Sequence, residues 1–98
     1  MTRKMIPTRT FDEIESLVNA AISTNTKNDG EEYIGQLKFM RNTMTYEIAA
    51  NIRTMFSELV NCTIAATGSV RDKTHWVDVT RQALLKLKLF GVEDAEHK

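Results

Sequence analysis

The chain holds one cysteine, Cys62, and one proline, Pro7, in 98 residues. A lone cysteine excludes an internal disulfide framework and suits a reducing compartment, where such a thiol is ordinarily a small core hydrophobe. No run of about 18 apolar residues exists, so no membrane span is expected. The first residues lack the long apolar core of a signal peptide, and a cytoplasmic location is expected. Thirteen Lys and Arg balance thirteen Asp and Glu, leaving a net charge of zero. No global field then draws the protein to a membrane or a nucleic-acid polymer, and any attraction to an anion must be local.

The usual catalytic constellations are also missing. His75 and His97 stand far apart in sequence, and neither has a partner at metal-ligand spacing. Cys62 has no neighbouring histidine, and there is no glycine-rich phosphate loop. Asn61-Cys62-Thr63 matches a glycosylation sequon, a pattern common by chance in a chain without a secretion signal. Period-two alternation of strand length, internal repeats and low-complexity segments are absent as well. No catalytic residue, metal or cofactor is expected, and the chain reads as a binding protein, not an enzyme.

What is present is helical patterning. A hydrophobic fraction of 42% with 27% charged residues fits one globular domain spanning 1–98. Residues 1–9, with Arg3, Lys4 and Arg9, read as a solvated basic arm. Thr10-Phe-Asp-Glu13 has the form of a capping box, and Phe11, Ile14, Leu17, Val18, Ala21 and Ile22 follow at helical spacing, predicting a helix over 10–22. The Ser23–Gly30 stretch carries loop chemistry.

From Asp29 onward, Ile34, Leu37, Met40, Met44, Ile48, Ile52, Met55 and Leu59 recur at steps of three and four. Asp29-Gly-Glu-Glu32 offers a second capping box. The spacing predicts one uninterrupted helix over 31–64, with Gly35 the only poor helix former near its start. Gly68 is placed to end it in the left-handed conformation, and Ser69 or Asp72 to cap the next helix.

That next helix, 70–90, carries Trp76, Val77, Ala83, Leu84, Leu87 and Phe90. Leu85, Leu89 and Val92 widen its apolar arc beyond one stripe, which calls for two buried faces. Gly91 terminates it, and 92–98 is a charged tail. The expected fold is all-α: a short N-terminal helix packed across a long antiparallel hairpin, oligomeric through Leu85, Leu89 and Phe90.

Charge placement suggests a binding face. On one continuous helix at about 100° per residue, Lys38, Asn42, Thr45, Tyr46 and Arg53 share roughly a quadrant. Arg71, Lys73, Arg81, Lys86 and Lys88 make the hairpin net basic. Cations interleaved with an aromatic ring can hold phosphates and stack a base; the competing reading is the wet face of an amphipathic helix.

Ile52-Arg-Thr-Met-Phe-Ser-Glu-Leu59, a turn with Arg71 and Lys73, then Trp76 and Arg81-Gln-Ala-Leu-Leu-Lys-Leu-Lys-Leu-Phe90 resembles the helical hairpin of phage anti-CBASS and anti-Thoeris sponge proteins. The similarity covers about 48–91. Arg81-x-x-Leu84 fits that family's second arm, whereas Leu87 stands where it has a small residue. The resemblance implies an oligomer in the host cytoplasm that sequesters cyclic di- or trinucleotides without cleaving them. Arg53 and Thr54 are the only ligand contacts the resemblance carries over; the charge placement above adds Lys38, Asn42 and Tyr46, with Phe39 and Tyr33 competing with Tyr46 as the stacking ring. The alternative is a helical protein–protein module, such as a phage-encoded inhibitor, immunity factor or assembly adaptor, whose Leu85/Leu89 face meets a partner helix.

Overall fold

In the computed structural model, the described residues are 5–24, 26–44, 48–68 and 71–93, without the side chain of Lys27. They form four helices: α1 (Thr8–Ile22), α2 (Lys27–Thr43), α3 (Ala50–Gly68) and α4 (Lys73–Gly91). The all-α expectation holds. The single helix expected over 31–64 does not, because two helices, α2 and α3, stand in its place.

The break has a local cause. Asn42 and Thr43 close α2, where the Thr43 hydroxyl donates to the Met40 carbonyl at 3.1 Å, and such side chains compete with the helix for backbone hydrogen bonds. Met44 is the C-cap of α2. Beyond the break, the Arg53 Nε donates to the Ile48 carbonyl at 3.1 Å. Met44 and Ile48 still join the core cluster, and the Ile48 amide donates to the Met44 carbonyl at 3.3 Å, so the apolar phase runs on from α2 into α3.

Two more boundaries differ from expectation. Helix α1 starts two residues before the expected Thr10 box, with Pro7 as N-cap and the Phe11 amide donating to the Pro7 carbonyl at 2.9 Å. Ile6 and Phe11 take the two positions of a hydrophobic staple, and both are buried. Helix α2 starts inside the expected loop, because Thr26 Oγ1 accepts from the Asp29 amide at 3.1 Å and caps it ahead of the Asp29–Glu32 box. Gly68 and Gly91 each close a helix without a positive φ.

Part of the expected basic arm is built into the fold. The Ile6 amide donates to the Gly91 carbonyl at 2.8 Å, and the Glu93 amide to the Ile6 carbonyl at 2.9 Å, forming a parallel bridge between Ile6 and Val92. Thr8 Oγ1 adds a bond to the Glu93 carbonyl at 2.9 Å. Gly91 is buried beneath Ile52 and Leu87, where a Cβ would come within 3.0 Å of both. Its smallness lets the end of α4 approach the start of α3. Arg3, Lys4 and the 94–98 part of the tail lie outside the described residues.

Helices α3 and α4 make the most extensive contact, α1 with α2 the next, and α2 and α4 do not touch. One core joins all four helices through Phe11, Ile14 and Val18 of α1, Ile34 and Leu37 of α2, Ile52, Phe56 and Leu59 of α3, and Leu84 and Leu87 of α4. Three threonines on the core side return their hydroxyls to carbonyls four residues back: Thr63 to Leu59 at 2.7 Å, Thr67 to Thr63 at 2.8 Å and Thr80 to Trp76 at 2.7 Å. Each is thereby buried without an unsatisfied polar atom. The body measures 44 × 22 × 20 Å.

Candidate functional surfaces

The shared quadrant for Lys38, Asn42 and Arg53 requires an unbroken helix, and that premise falls with the break between Thr43 and Ala50. Lys38 and Asn42, one turn apart, are exposed on α2. Arg53 and Thr54 sit in the first turns of α3, in a separate helical phase. Arg53 is half-buried, with its Nε committed to the Ile48 carbonyl, and the exposed Thr54 donates to the Ala50 carbonyl at 3.1 Å. Thr45 and Tyr46 lie outside the described residues. Of the competing rings, Tyr33 is half-buried against the core, whereas Phe39 is 67% exposed.

The outer face of α4 is the largest departure from ordinary burial. Leu85 is 54% exposed, and Leu89 and Phe90 are 64% exposed. Leu85 and Leu89 lie one turn apart in a stripe that begins at Asp78 and Gln82, where Gln82 Nε2 donates to Asp78 Oδ2 at 2.9 Å. At about 100° per residue, Arg81 and Lys88 flank the leucines on one side and Lys86 on the other, with Phe90 beyond Lys86. All three cations are exposed. Lys86 Nζ reaches Glu58 of α3 at 4.0 Å, a solvated pair that decides little. The inner face of the same helix, Thr80, Leu84 and Leu87, is buried against the fold. So the wide apolar arc read in the sequence divides, with one side serving the core and the other facing outward.

A second surface was not visible in the spacing. Glu13 of α1 and Glu32, Gly35, Gln36, Phe39 and Met40 of α2 line an open cleft of about 490 Å³. Gly35 is exposed within this lining, and a Cβ added there would meet nothing within 4 Å. The lining carries two carboxylates and no basic residue. The signal for it was the mid-helix glycine, which the fold itself does not require.

The remaining candidates are structural. Cys62 is half-buried, and that burial, followed by the nearby Glu58 charge, pushes its thiol up from the ordinary 9.0. His75 is exposed and meets the Trp76 ring edge-on at 5.2 Å. Among the described residues no cluster of three or more His, Cys, Asp or Glu is disposed to hold a metal ion, and no helix is long and apolar enough to cross a membrane.

No family model matches the chain. No curated protein and no solved structure matches it either.

Proposed function

We propose that this chain is a helical association module that acts by holding a protein surface, with the outer face of α4 as the surface it uses and a second copy of the chain as its occupant. The observation that carries this reading is the exposure of Leu85, Leu89 and Phe90 on one side of a helix whose other side is fully committed to the core. Burying what these three expose would contribute about 1–2 kcal/mol each. The basic flank of Arg81 and Lys88 would set orientation and partner choice more than affinity. A dilution series followed by amide NMR tests it: resonances of Gln82, Leu85, Lys86, Leu89 and Phe90 shift with concentration, whereas buried positions of α1 do not. Shifts confined to other helices would contradict it.

A second reading, sequestration of cyclic di- or trinucleotides, draws on Arg53 and on the resemblance to phage sponge proteins. Its support is the Nε bond to the Ile48 carbonyl, which fixes the guanidinium at the start of α3 and pre-organises it for an anion. Calorimetry against a panel of these nucleotides, repeated with Arg53→Ala, decides it. No member binding below about 10 μM would end this reading.

A further inference from the structure

We infer that the α4 face of one copy seats in the acidic α1–α2 cleft of another, so that association joins two different surfaces of the same chain. This rests on the association reading above and names its second half.

The case starts at Gly35. A glycine within an exposed helix weakens it relative to alanine, and its uses are a turn, a positive φ or a close approach. Among the described residues Gly35 has none of these: it is mid-helix in α2, its φ is not positive, and nothing lies within 4 Å of where its Cβ would be. Gly35 thus leaves room on the surface of α2 for the close approach of a neighbour. Beside it stands Phe39, the most exposed large apolar side chain among the described residues, with Met40 half-buried at the same cleft. A lining that lacks a side chain at Gly35 and carries Phe39 and Met40 leaves room for a helix bearing branched side chains one turn apart.

Charge selects which helix. The cleft is rimmed by Glu13 from α1 and Glu32 from α2, and the α4 leucine stripe is flanked by exposed Arg81 and Lys88. Acidic rim and basic flank match in sign, and each encloses an apolar centre, the anatomy of a specific interface. An α4-to-α4 contact would instead bring Arg81, Lys86 and Lys88 toward their own copies, where like charges oppose it. Helices α2 and α4 do not touch within one chain. Cleft and stripe are thus separate surfaces, and both are open to a neighbour.

Complementing variants test the pairing. Gly35→Leu fills the cleft while improving helix propensity, so it blocks one surface without threatening the fold. Leu85→Glu/Leu89→Glu disables the other. Each variant alone should sediment as the 11.2 kDa chain, and an equimolar mixture should recover a species of two chains, because one cleft and one stripe stay intact. Glu13→Lys/Glu32→Lys should weaken self-association of the otherwise wild-type chain by about tenfold, and adding Arg81→Glu/Lys88→Glu should restore it. If Gly35→Leu leaves association intact while the leucine variant abolishes it, the copies meet α4 to α4: this inference falls and the association reading stands. If the two variants fold but do not pair on mixing, the inference also falls. A wild-type chain that is monomeric overturns both.

Discussion

Gly30 of α2 lies against the Thr67 methyl group of α3: a Cβ at Gly30 would overlap Thr67 Cγ2 and stand 3.0 Å from Thr24 Oγ1. Thr67 cannot retreat cheaply, since it is buried and its hydroxyl bonds the Thr63 carbonyl at 2.8 Å. Gly30 and Gly35 share a helix and differ only in what surrounds them. Gly30→Ala should therefore destabilise by about 1–3 kcal/mol through overpacking. Gly35→Ala should stabilise by about 0.5–1 kcal/mol through helix propensity. Urea denaturation of the two variants checks the opposite signs.

Ile6 is fully buried and hydrogen-bonded across to Gly91 and Glu93. Ile6→Ala should cost about 2–4 kcal/mol, the usual range for a truncated core aliphatic. It should also speed hydrogen exchange at the Glu93 amide, whose acceptor is the Ile6 carbonyl. Loss of stability without faster exchange at Glu93 would mean that the bridge does not depend on Ile6 packing.

The helical class and one face of each helix were legible because burial follows a period of three to four residues. The break between α2 and α3 was not, because periodicity records which side chains meet the core and not where one helix ends and the next begins. Met44 and Ile48 keep the apolar phase although α2 ends at Thr43 and α3 begins only at Ala50. The polar run at Asn42 and Thr43 was the available signal. On the surface, Leu85 and Leu89 announced themselves as apolar excess. The cleft did not, since it is made by packing α1 on α2 and by the absence of a side chain at Gly35.

Cys62 should alkylate more slowly than an ordinary free thiol at pH 8, because partial burial and then the Glu58 charge disfavour the thiolate. Glu58→Gln should speed labelling with iodoacetamide while leaving the burial contribution in place. The folded chain binds the thiol proton more tightly than the unfolded chain, so this group favours folding less as pH rises through the ordinary value of 9.0. A labelling rate equal to that of the denatured chain would contradict the placement of Cys62.

The most direct measurement is sedimentation equilibrium of the wild-type chain beside Leu85→Glu/Leu89→Glu at about 100 μM, where an association of about −5.5 kcal/mol is half complete. The wild type should show a mass well above the 11.2 kDa of one chain, and the double variant, equally helical, should fall to it. A wild-type mass of 11.2 kDa at that concentration, or a variant that still associates, would contradict the assignment of the α4 outer face as the binding surface.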